Sequence, residues 1–285
     1  MLVTLLGSVL AGLLGSLLGL GGGIIVVPLL AHVYYTDPKD MHLAVGASIV
    51  AVIATSSGSA VNYLRDRVAN IRLGMFLEIG SVAGAVCGAL LAALVPGAIL
   101  SVAFAGVLVY GAFMMWRQSR RPLGEVDLPP DPLADRLNLH GGYHDPAEEK
   151  DVRYQVRGSK LGLALSYLAG VISGMLGVGG GIMKVPAMHM FMHVPMKAAT
   201  ATSNFMIGIT AAAGATVYLV RGEVEPFVAA PVAVGVLIGA RIGASVFGRI
   251  KSAALIRLFV GLLILTAIRM AWRGIESMAA KGWGA

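Results

Sequence analysis

Apolar residues recur along the chain in runs of about 20, enough for a helix to cross a hydrocarbon core of about 30 Å, and short charged loops separate them. The pattern predicts three plain spans in each half, at 43–64, 73–95 and 97–116 and again at 198–220, 226–247 and 253–273. The segment that opens each half is different. Residues 2–35 and 161–193 are apolar runs longer than one span, each interrupted by three consecutive glycines and by a proline five residues after the last of them. Glycine releases the backbone from helical geometry and proline removes a helix donor, so no continuous helix is expected there.

The two halves match each other. LAGLLGSLLGLGGGIIVVP at Leu10–Pro28 aligns with LAGVISGMLGVGGGIMKVP at Leu168–Pro186 without a gap, with eleven of nineteen positions identical. The match continues through MHLAVGAS and MKAATATS, then Tyr63-Leu64 and Tyr218-Leu219, then GSVAGAVCGA and GVLIGARIGA. A repeat of this length means duplication of a whole bundle rather than a solenoid. The expected fold is an all-α polytopic membrane protein of two homologous halves. Each half has a glycine-broken re-entrant or discontinuous helix followed by three transmembrane helices.

The expected organisation is a first repeat over 1–116, a linker insert over 117–160, a second repeat over 161–273 and a C-terminal tail over 274–285. The halves fit either parallel repeats with eight full crossings or inverted repeats with re-entrant openings. Loop charge does not separate these readings, since Lys197, Arg249 and Lys251 join the linker in one and oppose it in the other, and both satisfy the positive-inside tendency. Both place the linker in the cytoplasm. The run after each glycine triplet is only about a dozen residues, roughly 18 Å of helix, which favours inverted re-entrant hairpins.

Composition agrees with the pattern: 57% of residues are hydrophobic and 13% charged, and mean hydropathy is +0.80, far from the roughly 25% charge of soluble domains. The net charge of +7 sits in loops and at span ends, not on one basic face interleaved with aromatics, so nucleic acid is not an expected partner. The one cysteine, Cys87, lies in an apolar run and reads as a packing residue. The opening MLVTLLGSVLAGLLG lacks a basic start before its apolar stretch and reads as retained structure. Within the linker, two short β-like runs are expected to pair around His140–Asp145. The His-Gly-Gly-Tyr-His-Asp cluster there reads as a polar loop, with metal binding as the minor alternative.

Helix-start N–H groups lack internal partners and carry partial positive charge, so a glycine break before a short helix makes an anion cradle. Gly21, Gly22 and Gly23 supply one such break; Gly179, Gly180 and Gly181 supply the other. Paired broken segments in corresponding positions point to a midplane site in repeat-built transporters; the alternative is that the glycines merely allow turning and close packing. Polar residues cluster in the next span of each half: Thr55, Ser56, Ser57, Ser59 and Asn62, then Thr200, Thr202, Ser203, Asn204 and Thr210. Their hydroxyls and amides either replace water around an oxyanion or bond within and between helices.

Ionisable groups at depth are functional candidates by default. Lys184 stands three residues past the second triplet, where its first-half counterpart is Val26. Arg241 lies inside its span opposite Val86, so both cations belong to the second half. Either can instead snorkel to headgroups. Glu78 reads as an interfacial group or a partner for Arg241 before a proton carrier. His32, His189 and His193 read as interfacial or packing residues. The pairs Gly84/Gly88 and Gly239/Gly243 read as close-packing sites, and the fourteen methionines as lipid-facing or adaptable core.

GMLGVGGGIMKVP, MKAATATSNFMIG and IGARIGA together resemble the TauE/SafE sulfite and organosulfonate exporter family, over nearly the whole chain and twice over. The resemblance implies an inner-membrane carrier of sulfite, sulfonates or related small carboxylates, with no cofactor. Carried over by motif, its candidate site is Gly179 to Gly181, Thr202, Ser203, Asn204 and Arg241. Gly21 to Gly23 and Ser48 are the first-half matches, although the first half reads Ala47-Ser48-Ile49 where the second has Thr-Ser-Asn. The expected partners are a small anion and the bilayer; a coupling proton or cation and a homodimer stay open. An anion channel uses the same groups. An intramembrane enzyme is disfavoured by the lack of HExxH, GxSxG or paired carboxylates in the spans.

Overall fold

The computed structural model describes residues 2–35, 37, 40–119, 131–250 and 252–280. The first half comprises α1 (Leu2–Leu18), α2 (Gly23–Val33), α3 (Met41–Arg65), α4 (Ile71–Ala92) and α5 (Gly97–Ser119). The linker contributes α6 (Pro132–Arg136) and an antiparallel hairpin, β1 (Gly141–Asp145) with β2 (Lys150–Tyr154). The second half comprises α7 (Ser159–Leu176), α8 (Gly181–Pro186) running into a π-helical turn at Ala187–Phe191, α9 (Met196–Val220), α10 (Pro226–Phe247) and α11 (Ser252–Ala280).

Among the described residues, five helices, α3, α4, α7, α9 and α10, are long and apolar enough to cross a membrane. Many large apolar side chains point outward, among them Ile79, Leu265 and Ile268, which a bilayer satisfies and water does not. The chain is thus a polytopic α-helical membrane protein. Two expected boundaries move: α5 reaches Ser119, and α11 extends to Ala280, past the expected end of the second repeat at 273. Lys39 and Lys251, weighed in the loop-charge comparison, lie outside the described residues.

Pairing between helices repeats across the halves. α1 lies along α10 as α7 lies along α4, and α3 and α9 cross each other while α5 packs on α11. Gly235 meets Leu5 and Ser8, Gly239 meets Val9 and Leu13, and Gly243 meets Leu13 and Ser16, so α1 and α10 run the same way. Gly80 meets Leu163 and Tyr167 while Gly84 meets Tyr167 and Val171, so α4 and α7 do likewise. These glycines let backbones approach closer than side chains permit, which is how helices associate where lipid supplies no hydrophobic drive.

Each opening segment folds back on itself. Gly7 packs on Leu29 and Gly15 on Gly22, so α2 returns antiparallel to α1. In the second half, Gly162 meets Met192 and the Arg157 N–H donates to the Met192 carbonyl at 3.2 Å. α7 therefore enters and its hairpin leaves at one end of the bundle.

That end also carries the linker. The Asn70 amide donates to the Leu139 carbonyl at 2.8 Å while its carbonyl caps α4 through the Leu73 N–H at 3.0 Å. Asp131 caps both α6 and α7, accepting from the N–H groups of Leu133, Ala134 and Ser159. Burial works against its charge, yet these bonds hold its carboxyl below the ordinary carboxylate value. Lys197 at the start of α9 pairs with Asp145 at 2.6 Å, both side chains 2% exposed, and also donates to the Gly248 carbonyl at 3.2 Å. The opposite end gathers the Tyr35 hydroxyl with Glu225 at 2.8 Å and Glu223 against Gly46. The halves therefore run in opposite senses, because eight full crossings would put Lys197 at the far end from Asp145.

Removing one member of the Lys197–Asp145 pair leaves the other charge buried, a loss of about 3–5 kcal/mol. Lys197→Met is expected to lower the unfolding midpoint of the detergent-solubilised protein markedly, and adding Asp145→Asn to recover part of it. Equal midpoints for the single and double variants would contradict this account.

Candidate functional site

Each glycine triplet opens a tight turn because its first two residues, and the glycine two positions before them, take left-handed conformations. Gly19, Gly21 and Gly22 have φ of 71°, 72° and 73°, and Gly177, Gly179 and Gly180 have 68°, 77° and 76°, a region costly for residues with a Cβ. α2 and α8 then start at Gly23 and Gly181. Among the described residues no hydrogen bond runs from the N–H groups of Gly21, Gly22, Gly179 or Gly180. Helix-start amides in this state favour a negative guest.

The two tips meet at the middle of the bundle. A Cβ on Gly23 would lie 2.5 Å from the Gly177 carbonyl oxygen, and one on Gly181 would overlap the Gly19 carbonyl oxygen. Gly21 and Gly179 rest on the same two side chains, Val52 and Ile207, near the midpoints of α3 and α9. The glycine turns thus face each other and the bundle interior, not acyl chains.

The matched serines hold these tips crosswise. Ser48 on α3 donates to the Gly177 carbonyl of the other half at 2.9 Å; Ser203 on α9 donates to the Gly19 carbonyl of the other half at 2.8 Å. Each hydroxyl proton is thereby committed to backbone, so these serines position the cradle and have no O–H left for an anion in this arrangement. Tyr63 and Tyr218 add a second matched pair, donating to the Ser16 carbonyl at 2.8 Å and the Gly174 carbonyl at 2.7 Å.

Asn204 is fully buried and donates from its amide to the Ser16 carbonyl at 2.6 Å. Its side-chain oxygen has no partner among the described residues, and neither has the buried Thr200 hydroxyl. An unpartnered buried acceptor costs about 1–3 kcal/mol, so a polar guest or water at this place would relieve it. Thr202 is elsewhere: its hydroxyl accepts from the Asn70 N–H at 2.9 Å and supports the loop before α4.

Lys184 sits one turn beyond the second tip, 1% exposed. Its ammonium donates to the Thr210 hydroxyl at 2.5 Å and lies 3.4 Å from Glu78 Oε2. Thr210 in turn donates to Glu78 Oε1 at 2.5 Å. Glu78 is therefore the partner of Lys184, not of Arg241, and is buried. Arg241 is exposed on the outer face of α10, away from the tips. The structure brings together Gly21–Gly23, Gly179–Gly181, Ser48, Ser203 and Asn204, with Lys184 just behind, and leaves Thr202 and Arg241 apart.

Sequence reading missed Val52 and Ile207 as the floor between the tips, and Tyr63 and Tyr218 as tip supports. The repeat alignment, which pairs Tyr63 with Tyr218 outright and Val52 with Ile207 by the same offset, held that signal. In the linker, His140 bonds Asp135 at 2.7 Å and His144 bonds Asp151 at 2.9 Å, so the two histidines serve separate carboxylates.

A bundle of apolar spans with paired, glycine-broken hairpins meeting inside it defines a membrane-transporter scaffold. The family described as Sulfite exporter TauE/SafE matches residues 4–270, and the chain belongs to that family. It is 27% identical over 275 residues to the probable membrane transporter protein YunE of Bacillus subtilis, covering 95% of this chain and 97% of that one. It is 28% identical over 213 residues to the probable membrane transporter protein MJ0441 of Methanocaldococcus jannaschii, covering 74% and 69%. A probable membrane transporter protein of Xylella fastidiosa is 26% identical over 283 residues, covering 98% of each chain. No solved structure matches.

Because Gly181 has backbone where a Cβ would go, Gly181→Ala is expected to prevent assembly of the tip crossing. Gly106, with open space around its Cβ position on α5, is the control, and Gly106→Ala should leave stability unchanged or slightly raised. Size-exclusion profiles and thermal midpoints of the two variants in detergent check this. Similar behaviour would remove the crossing from its central place.

Proposed function

We propose that the protein is a secondary carrier of small sulfur-containing anions, such as sulfite or sulfonates, in the inner membrane with its linker on the cytoplasmic side. The observation that carries the reading is the meeting of two hairpin tips at mid-bundle, each with unpaired amides, beside one buried cation. The family description names sulfite, and a compact oxyanion suits a cradle of backbone N–H groups. In its arginines and lysines, the end that carries the linker, with Arg65, Arg67, Arg72, Lys197 and Arg249, is the richer one, as the positive-inside tendency asks of a cytoplasmic face.

Close packing at the tips favours a carrier over a channel. Where even a methyl group at Gly179 would come within 2.5 Å of Ile207, an ion needs the tips to part first, whereas a channel needs a continuous polar path. Rocking of one half against the other about the packed α3–α9 pair would open the cradle to alternate sides. The Gly21–Gly23 and Gly179–Gly181 turns, Lys184 and Asn204 are the proposed binding groups; Ser48 and Ser203 hold the tips in register. Small carboxylates are the second substrate class.

Reconstituted into liposomes, the protein is expected to show saturable, counterflow-capable flux with at least one of sulfite, methanesulfonate and acetate. Lys184→Met and Asn204→Leu should each raise the half-saturating concentration at least tenfold. Conductive, non-saturating flux would instead establish a channel, and unchanged flux in both variants would remove these residues from the site.

A further inference from the structure

The duplication offers an internal comparison for the buried charges. Lys184, Thr210 and Glu78 of one cluster correspond, through the repeat, to Val26, Thr55 and Ala233. At the second place Val26 is fully buried, and Thr55 turns its hydroxyl to its own helix, donating to the Ala51 carbonyl at 2.9 Å. The repeat thus has valine and alanine at the two positions where this cluster has an ion pair. Apolar replacement of buried ion pairs is often neutral or stabilising, and the matching half carries apolar residues at both positions. The charges therefore answer to something other than packing.

Their arrangement indicates what. Lys184 and Glu78 form a neutral cluster bridged by Thr210, which accepts from the ammonium and donates to the carboxylate. An anion drawn to Lys184 would leave the cluster with one net negative charge in a poorly screened interior, where like charges repel strongly. Protonation of Glu78 restores neutrality. Among the described residues, Glu78 is the carboxylate that already faces the Lys184 ammonium. Lys197 pairs with Asp145, Tyr218 donates to Gly174, and the two histidines of the second hairpin belong to its far end, where His189 Nδ1 bonds the Val194 carbonyl and His193 Nδ1 has no partner among the described residues. Arg72, Cys87, Tyr110, Lys160 and Tyr167 are exposed.

Resting on the anion site proposed above, we infer that Glu78 is a proton-binding group coupled through Thr210 to anion occupancy at Lys184, so that one proton travels with each anion. In the balanced step, the Lys184 ammonium exchanges the Glu78 carboxylate for the anion, and Glu78 takes a proton from the open side to become the neutral acid. Release reverses both events. For a monovalent anion the cycle moves no net charge.

The test uses methanesulfonate, which stays monovalent across the working pH range and has no membrane-permeant neutral form there, alongside sulfite and acetate. In proteoliposomes with a luminal pH dye, inward methanesulfonate flux by the wild type should acidify the lumen, and the flux should not respond to a potassium–valinomycin potential. Its binding in detergent should tighten as pH falls, by up to tenfold per unit. Glu78→Gln, which imitates the neutral acid, should bind with pH-independent affinity and carry flux without acidification. Wild-type anion flux that moves no proton, or an unchanged pH slope in Glu78→Gln, overturns the coupling and leaves the carrier reading standing. Absence of binding and flux for all three anions in the wild type overturns both. The wild-type measurements decide the matter even where Glu78→Gln does not fold.

Discussion

The architecture depends on two backbones passing through one point. At the middle of the bundle the turn of each half occupies the volume that a side chain on the other would need, with Gly23 against the Gly177–Val178 backbone and Gly181 against Gly19–Leu20. Only hydrogen in place of Cβ allows this approach, and only left-handed dihedrals turn the chain sharply enough to return. The crossing fixes where the hairpins stop and brings helix-start amides from both halves to one place. It also sets α3 and α9 at its sides, from which Ser48 and Ser203 reach the opposing turns.

Around this point the halves are alike in backbone and unlike in chemistry. Matched serines, tyrosines and glycines make matched contacts, while Lys184, Glu78 and the unpartnered Asn204 oxygen belong to one side only. Duplication supplies the shared scaffold; divergence places the buried charges and the unpartnered amide oxygen on one side of it. The linker adds a further asymmetry, because Asp145 reaches into the bundle end to meet Lys197 and thereby ties α9 and the end of α10 to a segment outside the spans.

Much of this was legible from the chain. Apolar run length gave the helices, since a helix in lipid must satisfy its own backbone and therefore needs an unbroken stretch of set length. The glycine triplets and following prolines marked the breaks, and the self-alignment marked which positions would be equivalent. Glu78 shows where such reading stops: its depth in the span was readable, but the choice between Arg241 and Lys184 as partner was not. Helical position fixes which residues share a face and leaves open which neighbour that face meets.

Sequence by itself determined the membrane class, the duplication, the hairpin breaks and the set of residues able to carry charge or donate hydrogen bonds, because these follow from local geometry and from transfer of side chains into lipid. Tertiary structure decided that the hairpins cross, that the serines spend their protons on opposing turns, that Thr202 and Arg241 stand apart, and that Lys184 is already paired. Those outcomes rest on contacts between segments more than a hundred residues apart, as from Lys184 to Glu78 and from Ser203 to Gly19. Only the packed arrangement of the helices sets such distances.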